Sequence, residues 1–393
     1  MRLRPLFLMV LGHTVVDTSQ NILPVILPLL HARFGLNYAQ VGLAAALLNL
    51  SSSVIQPVFG WISDRWGIQW FIPAGIVWTG ILMGTIGLVP SYWMLLLVLT
   101  MTGVGTAAFH PIASMAAAHA SQAQRGLGMS FFSAGGNLGF AAGPILMTWL
   151  LAWFSLRGTV LLMGLGFLTA GLIHCFRREI EVPFTRPRQR CARTEEPIPW
   201  AKLTSLCVLI TLRSWGASGM VVFMPLFLME HGVDLSVTGR ALFVFLFFGA
   251  LGGMLGGHFS DRVGRQRVIA TSLLLYPPLM VAALGLHGPM RWVLLAVAGM
   301  ALLASNSVTV VFAQELLPRH IGMASGLTLG LSFGAGGIGV GVSGLMADLL
   351  GLHASVWSLV LLPGLAGLMA LRLKSPIRST QEISVGRALR VDE

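Results

Sequence analysis

Long apolar runs dominate this chain, and most of the charged residues gather between them. A helix needs about 20 predominantly apolar residues to cross the hydrocarbon of a bilayer. Such runs fall near 6–30, 40–61, 70–89, 92–117, 126–152 and 158–176. After a polar stretch they resume near 201–229, 238–258, 267–286, 292–314, 322–349 and 355–373. The pattern predicts an all-α membrane protein with twelve spanning helices, and an even number of spans puts both termini on one face.

The basic residues between the runs choose that face. Arg2, Arg4, Arg65, Arg125, the Arg-rich stretch 177–202, Arg262, Arg265, Arg267, Arg319 and the tail from Arg372 place twenty Lys and Arg residues on one side. Arg33, Arg157, Arg240 and Arg291 fall on the other, and Arg213 lies inside a span. Cytoplasmic loops carry the excess of Lys and Arg. A multi-pass protein of the bacterial inner membrane with both termini cytoplasmic is therefore expected. Trp61, Trp66, Trp93, Trp153, Trp200 and Trp292 lie near span ends, where interfacial belts form.

Composition agrees. Hydrophobic residues make up 55% of the 393 and charged residues 10%, where a soluble domain carries about 25% charged residues. The net charge of +11 raises nucleic acid as a partner, but the loop asymmetry accounts for it, so lipid is the expected surroundings and no nucleic acid is expected. The start, Met1-Arg2-Leu3-Arg4 before an apolar run without a small-residue cleavage site, reads as a retained first helix. Cys175, Cys191 and Cys207 form no paired spacing, so neither disulfide nor metal site is expected.

The chain also repeats itself. Gly60-Trp-Ile-Ser-Asp64-Arg65-Trp-Gly67 recurs 197 residues later as Gly257-His-Phe-Ser-Asp261-Arg262-Val-Gly264. The same offset carries Pro28 to Pro225, Gly35 to Gly232 and Gly42 to Gly239. Parallel six-helix repeats are one signature of secondary transporters. The expected domains are a six-helix bundle over 1–176, a cytoplasmic linker over 177–200 rich in Pro, Arg and Glu, a second bundle over 201–374 and a cytoplasmic tail over 375–393.

The Gly-x-x-x-Asp-Arg-x-Gly loop and its echo resemble the loop motif of the major facilitator superfamily. A narrower resemblance is to its fosmidomycin-resistance type of drug exporter. It rests on His13-x-x-x-Asp17-x-x-Gln20, on Phe109-His110-Pro111 with Gly135-Gly136-Asn137-x-Gly139, and on Ala313-Gln314-Glu315-Leu316-Leu317-Pro318 followed by Ile321-Gly322-Met323-Ala324-Ser325-Gly326-Leu327. The chain departs from the loop motif at Ile68-Gln69, where basic residues are usual; the second copy keeps them at Arg265 and Arg267. The antiporter pattern of helix 5 is partial, with Gly139-x-x-x-Gly143-Pro144 present and the following glycine pair absent. The resemblance implies two bundles rocking around a central cavity, a small-molecule substrate such as a phosphonate antibiotic, and drug efflux by proton antiport.

The residues themselves point to a few chemical sites. Asp17 lies near mid-membrane, where a carboxylate costs roughly 2.5–3.5 kcal/mol even on the gentler scale. Such a group can bind and release a proton as its surroundings change, or it can fix helix packing. His13 and Gln20 share its helix face; His13 is assigned with Asp17 to proton coupling and Gln20 to substrate. The repeat offset carries Arg213 onto position 16, beside Asp17. Arg213 is then either the counter-ion of Asp17 or the holder of an anionic substrate group. His110, before Pro111, lines the cavity or is satisfied by a carbonyl. Asp64, Arg65, Asp261, Arg262, Arg265 and Glu315 are assigned to gating; superfamily resemblance implies that Asp64 and Asp261 each approach the positive N-terminus of a helix in the opposite half. Glycines at every fourth position, among them Gly135, Gly139 and Gly143, and Gly326, Gly330 and Gly334, suggest close helix packing.

No nucleophile elbow or Walker-type Gly-Lys-Ser/Thr is present, so neither an enzyme nor an ATP-driven pump is expected, and no cofactor beyond the proton gradient. The sequence reads as a monomeric, proton-coupled antiporter exporting a small, possibly anionic, drug or metabolite. A proton-coupled importer and a non-transporting membrane sensor are the alternatives.

Overall fold

In lipid every backbone N–H and C=O must be satisfied within the protein, and the apolar runs accordingly become helices almost end to end. The structure is a computed structural model that describes residues 1–66, 70–180, 199–286, 288–317 and 321–373. The linker over 181–198 and the tail beyond 373 lie outside the described residues. Helices α1 (Leu3–Gln20) and α2 (Leu23–Phe34) form the first crossing. They are followed by α3 (Tyr38–Trp66), α4 (Phe71–Thr85), α5 (Tyr92–Ser121), α6 (Arg125–Phe154) and α7 (Leu161–Cys175). The second half holds α8 (Trp200–Glu230), α9 (Leu235–Val263), α10 (Arg265–Gly285), α11 (Pro289–Leu316), α12 (Ile321–Leu350) and α13 (Leu352–Ala370). These make twelve crossings in two pseudo-symmetric six-helix bundles.

One span departs from its expected form. The run at 6–30 is not one helix but two, broken at Asn21 and Ile22. Pro24 starts α2, in the first turn where its missing N–H costs nothing. The Asn21 side chain leaves its own helix to donate to the Phe140 carbonyl of α6. Asp17 therefore sits in the last turn of a short helix, next to a break at mid-crossing.

The N-terminus lies with the ends of α5 and α7. Arg2 N–H donates to the Ala120 carbonyl at 2.7 Å, and Arg4 pairs with Glu179 at 2.9 Å. At the opposite face the two bundles are zipped together, and the repeat glycines make the seams. A Cβ on Gly42 of α3 would stand 2.7 Å from the Val340 carbonyl of α12 and 3.3 Å from Cα of Gly341 and Gly344. On its repeat mate, Gly239 of α9, a Cβ would collide with Thr148 of α6 and lie 3.3 Å from the Pro144 carbonyl. Asp348 of α12 completes the first seam by accepting from the free N–H groups at the start of α3, Tyr38 at 2.7 Å and Ala39 at 2.9 Å. A carboxylate there satisfies orphan donors and meets the positive end of the helix dipole.

Toward the N-terminal face the seams lapse. On α12, Gly336, Gly337 and Gly344 touch neighbouring helices, whereas nothing among the described residues lies within 4 Å of a Cβ position at Gly326, Gly330 or Gly334. The expected ladder of packing glycines at 326–334 is thus corrected: these positions face open space, and the packing ones lie further along the helix. The glycines of α6 behave as expected. Cβ atoms at Gly135, Gly139 and Gly143 would strike the α1 backbone at Val10, Thr14 and Thr18. The bundles are closed at one face and parted at the other.

Candidate functional site

Asp17 is 8% exposed, in the wall formed by α1, α5 and α6. Its two oxygens are divided between two histidines. Oδ1 lies 3.1 Å from His110 Nε2 and Oδ2 lies 3.3 Å from His13 Nε2. Each ring is held from behind by a backbone carbonyl, His13 Nδ1 by Phe132 at 2.8 Å and His110 Nδ1 by Thr106 at 3.0 Å. The Phe132 ring also stacks on His13, with centroids 4.2 Å apart. Of the two readings of His110, the carbonyl contact is formed, and Asp17 is a second partner that neither reading included.

Gly136 makes this cluster sterically possible. A Cβ there would stand 2.9 Å from Asp17 Oδ2 and closer still to the His13 ring. The sequence reading placed Gly136 in a motif without giving it a role, and its adjacency to the packing ladder at 135 and 139 was the available signal. The donor atoms of His13, Asp17 and His110 lie within 4.8 Å of one another. Both Nε2 atoms lie against the carboxylate, His110 in a hydrogen bond and His13 at ion-pair distance.

Arg213 is the other buried charge, 2% exposed on α8. Its Nη2 donates to Ser214 Oγ at 3.0 Å and to Ser332 Oγ at 3.1 Å. Its Nε has no partner, and among the described residues it has no carboxylate at ion-pair distance. The counter-ion reading of Arg213 is therefore not what the structure forms: Asp17 is matched by histidines of its own bundle, and Arg213 is left with hydroxyls. Removing a guanidinium from water costs several kcal/mol unless an anion answers it. Gln20 is half-buried at the end of α1 and makes no polar contact with the described residues.

The gating residues divide. Arg265 at the start of α10 holds Glu315 of α11 at 3.1 Å and also pairs with Asp261 and Ser260 of α9. Glu315, assigned to gating, is thus held by the arginine that starts α10. The expected reach of Asp261 to the opposite half is not made. Its carboxylate is engaged within its own bundle and is 65% exposed, because the bundles are parted at this face. Arg262 is exposed, and Arg65 lies over the Trp61 ring at 5.5 Å. The Asp64 side chain lies outside the described residues. A carboxylate does cap a helix of the opposite half, but it is Asp348, at the other face, which sequence reasoning missed because only the loop motif had been searched for latches.

Among known proteins, the Major Facilitator Superfamily description matches residues 9–235 and, overlapping, 206–390. The chain is 34% identical over 378 residues to the uncharacterized MFS-type transporter YfnC of Bacillus subtilis, covering 92% of this chain and 91% of that one. It is 32% identical over 363 residues to the fosmidomycin resistance protein of Escherichia coli, covering 88% and 86%. A multi-drug resistance efflux pump of Streptococcus pneumoniae, PmrA, is 25% identical over 66% of this chain and 68% of its own. In fold the chain matches a bacterial homolog of the human lysosomal transporter Spinster, in an inward-facing and occupied conformation, with TM-score 0.77 at 18% identity, covering 94% and 96%.

Proposed function

Since the chain belongs to the Major Facilitator Superfamily, and is thus a membrane transporter of small molecules, we propose that it couples protons held by Asp17, His13 and His110 to the outward movement of a small anion held by Arg213. The observation that carries this is the division of buried charge. One bundle holds an acid with its proton partners, and the other holds a buried cation with no acid. An anionic group with two acceptor oxygens fits a guanidinium through paired, charge-assisted hydrogen bonds. The parted face is then the cytoplasmic one, which agrees with the loop charge, and the Asp348 seam closes the outer face. Reversing which face is zipped would switch access to both sites from one side of the bilayer to the other. The proton gradient of a bacterial inner membrane would drive the cycle. Export is supported by the likeness to the fosmidomycin resistance protein and to an efflux pump.

Charge favours a second reading as to direction. An anion beside Arg213 makes proton binding at the triad easier, and linkage makes the effect reciprocal. Co-binding of this kind suits uptake of anion and protons together.

The test is proton movement in inverted, energised vesicles on adding fosmidomycin, with Asp17→Asn for comparison. Exchange predicts alkalinisation of the acidic lumen in the unaltered protein and none in the variant. Lumenal acidification on addition would instead establish co-transport. An equal response in both proteins would remove Asp17 from the proton path. No response in either would overturn fosmidomycin as substrate.

A further inference from the structure

The hydrogen bonds of the His13–Asp17–His110 cluster contain a proton count. A backbone carbonyl only accepts. The Nδ1 atoms of His13 and His110, at 2.8 and 3.0 Å from the Phe132 and Thr106 carbonyls, must therefore both carry hydrogen. In a neutral imidazole the other nitrogen is then a bare acceptor. Here that nitrogen faces a carboxylate oxygen, also an acceptor, at 3.3 Å for His13 and 3.1 Å for His110. Lone pair against lone pair is repulsive, and each approach becomes attractive only with a proton on one of the two atoms, as a hydrogen bond for His110 and as an ion pair for His13. The approaches use different oxygens, Oδ2 and Oδ1, so one proton cannot serve both.

We propose that the cluster is a two-proton store. Filled, it makes the His110 hydrogen bond and the His13 ion pair and carries one net positive charge. Half-filled, it is neutral with one opposed pair. Empty, it carries one net negative charge and opposes both pairs, so the rings must turn away or the cluster must open. The arrangement described here is the filled one. Among the described residues, no ionisable group from α4, α6 or α7, the other helices packed on α1, is paired with these three. α6 presents Gly136 and the Phe132 carbonyl and ring to them. The count rests on the proton-coupled reading for its use in transport, but not for its geometry.

The deciding experiment is ¹⁵N NMR of histidine-labelled full-length protein in lipid nanodiscs across a pH series. The His13 and His110 signals would be assigned by their loss in His13→Gln and His110→Gln. Both rings are expected to be doubly protonated together at the acid end and to lose that state in two linked steps, through the neutral half-filled cluster. In Asp17→Asn neither ring should hold the second proton at the pH where the unaltered protein holds both. The unaltered spectrum decides the count even where a variant folds poorly. A single imidazolium, or two that lose their protons independently and without regard to Asp17, would overturn the store. A single imidazolium together with substrate-driven proton movement would leave the transport reading standing. Two imidazoliums with no such movement would do the reverse.

Discussion

The two bundles treat a buried charge in opposite ways at nearly equivalent places of the repeat. On α1 an acid is given two bases, each fixed from behind by a carbonyl. On α8 a guanidinium is given two serine hydroxyls and no acid. A matched cluster holds an acid and its bases together, so protons can be gained and lost within it. An unmatched cation is incomplete until something negative arrives. On the proposed function, the proton switch lies in one half and the ligand's seat in the other, although both halves follow one six-helix pattern.

The sharpest way to break the comparison is to remove the acid. Asp17→Asn leaves two bases facing no carboxylate, and breaking a buried pair costs about 3–5 kcal/mol. Proton-driven accumulation in vesicles should fall on the order of a hundredfold or more, and the melting temperature should drop. Arg213→Met should behave oppositely in stability. It exchanges an unmatched buried charge for an apolar side chain, a change worth about 1–4 kcal/mol in favour of the fold where packing is kept. A raised melting temperature with lost uptake would sharpen the contrast, and a lowered one would mean that Arg213 has a structural anion. Gly136→Ala forces a methyl between His13 and Asp17, with a destabilisation of about 1–3 kcal/mol by overpacking. The effect at the seam is expected to fall below that at Gly136 and above that at Gly330. Asp348→Asn weakens a cap worth about 1 kcal/mol, and should shift the open-to-closed ratio of that face roughly fivefold, read by spin-label distances between the ends of α3 and α12. Gly330→Ala, in open space, should change the melting temperature little, within about 0.5 kcal/mol.

Much of this was legible in the sequence because lipid imposes few choices. Long apolar runs have to be helices, and each apolar run after the first gave one helix displaced by a few residues at its ends. The offset of 197 exposed the repeat because glycine and proline mark backbone needs that survive divergence, and Gly42 and Gly239 proved to be the two seams. Helical spacing put His13 beside Asp17. The partner of Asp17 from α5 was not legible, since His110 is 93 residues away and nothing local ties the two. Symmetry suggested Arg213 for that place, but position 16 being equivalent to 213 says only that both lie at the same depth, not that they meet. The break at Asn21 was missed because its side chain is satisfied by α6, a contact without trace in the run of apolar residues.

That broken first crossing has a consequence for how the protein is made. Ten stretches among the described residues are long and apolar enough to cross a bilayer unaided, and neither α1 nor α2 is among them. What holds α1 in place is the glycine face of α6, which grips it at Val10, Thr14 and Thr18. That face is synthesised more than a hundred residues later, on the order of ten seconds at cellular rates of translation. During that interval the nascent first crossing carries Asp17 with His13 but without the glycine face of α6, and its hold in the bilayer is weakest. Slowing the ribosome between α1 and α6 would then lower the yield of inserted protein without changing a single residue of it.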